Sequence, residues 1–275
     1  MRKKIKISRI LVFLFLAFIA IGTIAPFIYM VMTTFKEKNE YIIQMFSLPE
    51  SLNLKNYKVI FKNYNVLQLN KNSLIITAGS LIGMITVTTM AGFAVSKLKF
   101  TGKKILYALM AFCMIMPGQV VMIPVYTLMS RLGLVNSHLG VILIYITTSI
   151  PFATFLFAAN CSSVNDGIIE SAKIEGASIP MIYLKIILPM IKPTIAAVAI
   201  LNFVSYWNEL FWAMILLQED AKRTLTVGLV SLTGRFGSNM PLTYTGLFIN
   251  CIPIIIVFFI FQKQLIKGTS AGAMK

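Results

Sequence analysis

Residues 139–159 read LGVILIYITTSIPFATFLFAA, and residues 170–177 read ESAKIEGA. The first run carries no charge over 21 residues. A helix needs about 20 mostly apolar residues to cross the hydrocarbon core of a bilayer, so this run is a membrane span. A second uncharged run opens at Thr194, which leaves the polar strip between two crossings. The implied fold class is all-α: a polytopic membrane protein with a charged strip held at one membrane face.

Composition agrees along the whole length of 275 residues. The chain is 57% hydrophobic with a mean hydropathy of +0.82. Only 12% of residues are charged, against about 25% in soluble domains. Twenty-five Lys and Arg against nine Asp and Glu give a net charge of +16. In a soluble chain that excess would point to nucleic acid. Here the cations cluster between apolar runs, where they mark a membrane surface, and no nucleic-acid partner is expected. Cys113, Cys161 and Cys251 form no CxxC pair and read as small buried hydrophobes. The single histidine, His138, stands at a loop-to-span junction without a Ser or Asp constellation. Neither a catalytic nor a metal site is expected.

Six segments have the length and apolarity of spans: Ile10–Met32, Leu74–Val95, Ile105–Met129, Leu139–Ala159, Thr194–Leu217 and Tyr244–Phe261. Pro117 and Pro124 interrupt the third and should bend it or end it early. The first follows a basic stretch, Met1–Arg9, but runs longer than the apolar core of a signal peptide, so it reads as an uncleaved span. With the N-terminus inside, fifteen of the 25 basic residues fall on the inner side, led by Lys97, Lys99, Lys103 and Lys104. The positive-inside rule then puts both termini in the cytoplasm of a multi-pass cell-membrane protein. It leaves an outer loop over 33–71, a second outer segment over Gln218–Leu242, a cytoplasmic loop over 165–188 and a cytoplasmic tail over 262–275. Within the second outer segment Thr233–Asn239 reads as a flexible loop.

The strip has start and stop signals of its own. Asn165 or Asp166 can cap a short helix beginning near Ile168. Glu170 and Lys173, three apart, can pair on one face. Ile168, Ala172 and Glu175 fall near one stripe, so the helix looks weakly amphipathic. Gly176 stands where a glycine ends a helix. Ser178 can cap a second helix, with Pro180 tolerated in its first turn. The outcome is helix, glycine turn, helix on the cytoplasmic surface. The same spacing suits either a docking peg or a plain interfacial hairpin.

Inside the spans, Asn202, Tyr206 and Glu209 share one helical stripe, and Asn250 sits in the sixth span. A charge at mid-membrane costs about 2.5–3.5 kcal/mol on insertion scales. These four are therefore candidates for lining a path or for polar contacts between helices. Trp207 and Trp212 are candidate interfacial anchors.

The stretch ESAKIEGASIPMIYLKIILPMIKP, residues 170–193, resembles the EAA loop of ABC-importer permeases. The resemblance extends over nearly the whole chain and is most specific to the carbohydrate-uptake branch, in its MalG-type half. It rests on Leu54-Lys-Asn-Tyr57, Asn72-Ser73, Ala91–Gly102, Pro117–Pro124, Leu132–Asn136, Trp207-Asn-Glu209 and the tail Gly268–Lys275. Ser171 replaces the family's first motif alanine, Glu175 its usual aspartate, and Val164-Asn165 the proline often found just before the motif.

The resemblance implies a type I importer permease that pairs with a MalF-type permease, sits in the lipid bilayer and takes a carbohydrate from an extracytoplasmic solute-binding protein. It implies docking of Glu170, Ser171, Ala172, Glu175, Gly176 and Ala177 in a cytoplasmic ABC ATPase dimer, with Glu170 meeting a basic residue there. ATP and Mg would be bound by that ATPase, and this chain would hold no cofactor. It implies that the tail Ser270, Ala271, Gly272, Ala273, Met274 and Lys275 reaches the ATPase interface, and that Arg235, Phe236 and Gly237 face the binding protein. A self-contained secondary transporter or channel is the alternative, but no inverted repeat or matching pair of broken helices is visible. No GxxxxGK[ST] loop occurs, so any ATP-driven motor belongs to another chain.

Overall fold

The computed structural model describes the backbone of residues 7–236 and 239–273, and side chains over 9–230 and 239–263. The described residues are helical with irregular connections and contain no strand. The chain divides into two compact units: Met1–Val66 with Leu229–Ile252, and Leu67–Gly228 with Pro253–Lys275.

The first unit opens with α1, Ile7–Thr33, whose apolar window is not buried by the chain at all. Such a helix is at home in lipid or against another membrane subunit. Short helices α2, Lys38–Ile43, and α3, Lys55–Asn63, follow it. They close over Lys36, which is 1% exposed. Its ammonium donates to the Gln44 carbonyl at 2.7 Å, the Ser47 hydroxyl at 3.1 Å and the Met45 carbonyl at 3.3 Å. The Asn56 amide donates to the Thr34 and Lys36 carbonyls, both at 2.8 Å, pinning α3 to the end of α1. Of the segment read as a loop over 33–71, the part through α3 is thus an ordered cap on the first helix, while residues 66–71 already belong to the next helix, Val66–Lys97.

The second unit is built on α4, Val66–Lys97, and α7, His138–Ser162. They cross at Gly92, where a Cβ would lie 2.7 Å from the Phe157 Cβ and 2.9 Å from the Ala158 nitrogen. Only a glycine allows that approach, the kind of close contact that drives helix association in lipid. Between them lie α5, Lys103–Ile115, and α6, Met122–Arg131. Beyond α7 come α8, Asp166–Ile174, and α9, Ile179–Ile182. A single π-helical turn, Tyr183–Ile187, leads into α10, Leu188–Met190. Then follow α11, Lys192–Trp207, and α12, Phe211–Leu216. A 3-10 turn, Asp220–Lys222, precedes α13, Leu225–Phe236, and the last helix, α14, runs Met240–Ala273; α13 from Leu229 and α14 as far as Ile252 belong to the first unit.

Four of these helices are long and apolar enough to cross a membrane: α1, α4, α7 and α14. A fifth crossing is available if the pair Ile179–Met190 and Lys192–Trp207, bent by 73°, counts as one span. The run over 105–129, expected to bend or end early at its prolines, is divided into two helices. Proline disfavours helical backbone in the residue before it, and Met116, ahead of Pro117, is extended at φ −77°, ψ 118°. Pro124 falls in the first turn of α6, where its missing N–H costs nothing. The run 194–217 is also divided, at Asn208–Leu210. Helix α4 begins eight residues before the expected Leu74, and α14 four before Tyr244. In the segment read as an outer loop, α13 replaces much of the coil and carries Thr233–Phe236 in helix. Burial outweighs weak local propensity there: Leu225 is fully buried, and Gly228 sits so close to Leu69 that a Cβ would meet it at 2.6 Å.

Candidate functional site

The polar strip folds as its capping residues dictate. The Asn165 side chain accepts the Gly167 N–H at 2.8 Å and so caps α8. At the other end Gly176 takes φ +84°, the left-handed conformation. The Gly176 N–H then reaches the Lys173 carbonyl at 3.0 Å, and the Ala177 N–H the Ala172 carbonyl at 2.9 Å. These two bonds satisfy the last carbonyls of α8 and turn the chain. Ser178 takes the N-cap position of α9 with extended backbone, but its side chain makes no cap bond there; Pro180 is in the first turn as expected.

Helix α8 is seated by Ile169 and Ala172, which are buried in a core with Met84, Phe93, Phe157 and Cys161. The expected stripe of Ile168, Ala172 and Glu175 is therefore corrected: Ile168 and Glu175 are exposed. The Glu170–Lys173 pair does not form among the described ion pairs. Instead Glu170, Ser171, Glu175 and Gly176 face outward beside Ile174, which is 87% exposed. Ala177 is half-buried. Of the six docking candidates, Ala172 holds the helix down and the others reach the surface.

The base of the strip is tied to the spans by polar contacts that sequence reasoning missed. Lys97, read only as a charge marking the inner face, donates to the Asp166 carboxylate at 2.6 Å, the Val164 carbonyl at 2.6 Å and the Ser162 carbonyl at 3.3 Å. This ammonium holds the Asp166 carboxyl below the usual carboxylate range, first through the hydrogen bond and then through its charge. The hydroxyls of Thr89 and Tyr183 meet at 2.8 Å, and Thr194 donates to Asn160 at 2.7 Å. Strip, α4, α7 and α11 are thereby linked by hydrogen bonds.

A second polar centre lies at the break between α11 and α12. The Glu209 carboxylate accepts the Tyr145 hydroxyl at 2.7 Å, the Trp212 N–H at 2.9 Å and the Ala213 N–H at 3.1 Å. Tyr206 is buried and stacked on Tyr145, its hydroxyl 2.7 Å from Ser149 Oγ and 3.1 Å from the Tyr145 carbonyl. Asn202 donates to the Val198 carbonyl of its own helix at 2.9 Å, and Asn250 is buried. Trp207 and Trp212 are buried as well, so they anchor helices to one another and not to the lipid interface. Gly118, in the break between α5 and α6, abuts the Trp212 ring.

Beyond this centre the α6–α7 connection and the α12–α13 connection are clamped to each other and to the early turns of α4. Asn136, at φ 56°, accepts the Gln218 and Glu219 amides at 2.7 and 3.1 Å. Asn72 donates to the Ala221 and Arg223 carbonyls, both at 2.9 Å, and Ser73 accepts the Leu225 N–H at 2.8 Å. His138 Nε2 lies 2.9 Å from the Lys222 carbonyl, a structural contact.

Residues 84–270 match the family model described as "Binding-protein-dependent transport system inner membrane component". The chain belongs to that family. The matched segment takes in both the capped strip and the Glu209 break. Among curated relatives of this permease is the "Multiple sugar-binding transport system permease protein MsmG" of Streptococcus mutans, 31% identical over 279 residues and covering 100% of both chains. Another is the "Arabinooligosaccharides transport system permease protein AraQ" of Halalkalibacterium halodurans, 29% identical over 263 residues and 94% of each chain. A bacterial ABC transporter for import of the acidic polysaccharide alginate has a chain with the same fold. Its TM-score is 0.80 at 23% identity, covering 96% of this permease and 99% of that chain.

The remaining expected contact residues of the permease fall at the edges of what is described. Arg235 and Phe236 end α13, while Gly237 lies outside the described residues. Ser270, Ala271, Gly272 and Ala273 are in the last turns of α14, and Met274 and Lys275 lie outside the described residues.

Proposed function

We propose that this permease is the MalG-type half of a heteromeric, ATP-driven importer for a carbohydrate. A MalF-type permease completes the translocation path, a cytoplasmic ABC ATPase dimer binds ATP and Mg and supplies the work, and a solute-binding protein delivers the sugar. The chain crosses the inner membrane six times with both termini in the cytoplasm. The α5–α6 pair and the α11–α12 pair each count as one crossing, and α9 and α10 stay with the cytoplasmic strip. The sugar-transport names of both full-length relatives support the cargo class.

One observation carries the coupling mechanism: α8 presents exposed Glu170 and Glu175 beside Ile174 at 87% exposure, on a helix whose opposite face is locked into the spans. Ile174 enters a groove of the partner, and the carboxylates meet cations at its rim. ATPase closure moves the groove, and the strip carries that movement into α4, α7 and α11. Affinity purification of the tagged chain from its own membranes tests the assembly; an ATPase and a second permease are expected with it. In the recovered complex Glu170→Lys should hydrolyse ATP without moving solute. A chain that purifies alone, or a Glu170→Lys variant with normal sugar uptake, overturns the reading.

A further inference from the structure

Lys97 is the last residue of α4, and its side chain is 6% exposed. An ammonium has three donors, and here three oxygens occupy them. They come from Ser162 at the end of α7, Val164 in the connection, and Asp166 at the start of α8. One cation therefore joins the ends of two membrane helices to the beginning of the docking helix. The other seat of α8 is apolar, through Ile169 and Ala172. Apolar contact is non-directional, so it resists lifting the helix off but not swivelling it. Short charge-assisted hydrogen bonds have fixed directions, and those at Lys97 sit at the N-terminal root of α8, where a swivel would start.

We propose that Lys97 is a positioning residue for coupling: it locks the root of α8 to α4 and α7, so a push on the helix tip moves the spans instead of rotating the helix in its seat. This rests on the reading of α8 as the ATPase-docking helix. The cation caps the free carbonyls at the end of α7 and pairs with Asp166 in the same geometry, so the lock has two separable parts. Asp166→Asn weakens the ion pair and leaves both carbonyl bonds. Lys97→Met removes everything, and Lys97→Arg restores a cation.

The test uses the complex purified from native membranes and placed in liposomes with its binding protein. Spin labels go on cysteines at exposed positions 99 and 168, with Cys113 and Cys251 replaced by serine. Lys97→Met should broaden the 99–168 distance distribution and lower solute moved per ATP at least about tenfold, since three hydrogen bonds to a charged group are lost together. Lys97→Arg should recover most of both, and Asp166→Asn should fall between. A Lys97→Met complex with wild-type distances and stoichiometry overturns the proposal. If that variant does not assemble, Asp166→Asn decides, because its side chain is 74% exposed and its loss does not threaten the fold; a wild-type stoichiometry there overturns the lock. Normal Lys97→Met beside an uncoupled Glu170→Lys refutes the lock alone. Normal transport in both refutes the docking reading beneath it.

Discussion

The Tyr145 hydroxyl donates to Glu209 across 2.7 Å and joins α7 to the break between α11 and α12. The same carboxylate accepts the Trp212 and Ala213 N–H groups. The first amides of any helix lack partners within it, so Glu209 serves α12 as a cap from just outside its start. That role accounts for a carboxylate in an apolar run: three donors offset its desolvation, and the break in the span places those donors. Glu209→Gln keeps an acceptor oxygen and should cost about 1 kcal/mol, whereas Glu209→Ala strands the donors and should cost about 2–4 kcal/mol. Thermal unfolding in detergent should rank wild type above Gln and Gln above Ala. An alanine variant as stable as the parent would remove the cap from the account.

The contrast between this break and the strip shows what sequence carries. Asn165, Gly176 and Pro180 act on backbone within a few residues of themselves, so helix, turn and helix are legible from spacing alone. Pro117 is equally local, and it ends α5 as a proline should. Nothing local marks Asn208–Leu210 as a break; it exists because Tyr145, 64 residues away, and the α12 amides converge on Glu209. The buried face of α8 is illegible in sequence for the same reason. Ile168 and Ile169 are alike in type, and only the position of Phe157 and Cys161 decides which one is covered. Helix α13 is masked by Thr, Gly and Ser, whose propensities are weak; its burial against α4 is what holds it in helix.

Gly176 has open space around it: a Cβ placed there would meet nothing within 4 Å, so the requirement for glycine is purely one of backbone. A β-branched residue at φ +84° carries the left-handed penalty of about 1–2 kcal/mol. Gly176→Val should therefore fray the end of α8 and lower transport, while Gly176→Asn should be milder because Asn tolerates that region. Uptake and hydrogen exchange at the Ala177 amide, measured on both variants, give the ranking. Equal behaviour of Val and Gly would mean that the turn is not needed.

Lys36 is the buried centre of the cap on α1, and its ammonium serves Gln44, Met45 and Ser47. Lys36→Met fills the volume but leaves buried acceptors without their donor, at about 1–3 kcal/mol. The expected result is faster proteolysis within 37–54 when protease is added to the outer face of right-side-out vesicles. The membrane helices should stay intact. Unchanged cleavage would show that α2 and α3 are held by other contacts.

The lowered pKa of Asp166 fixes the pH range of its bond to Lys97. A carboxyl whose folded pKa is depressed contributes fully above its unfolded value, about 3.9. The contribution is lost only as pH falls through the lower folded value. Between about pH 5.5 and about pH 8 the Asp166 carboxyl therefore keeps its charge. The difference between wild type and Asp166→Asn in solute moved per ATP should therefore be the same at both ends of that range. Measured in liposomes with matched internal and external pH, a difference that shrinks toward pH 5.5 would mean the carboxyl is protonating there. That outcome is incompatible with an ammonium at 2.6 Å.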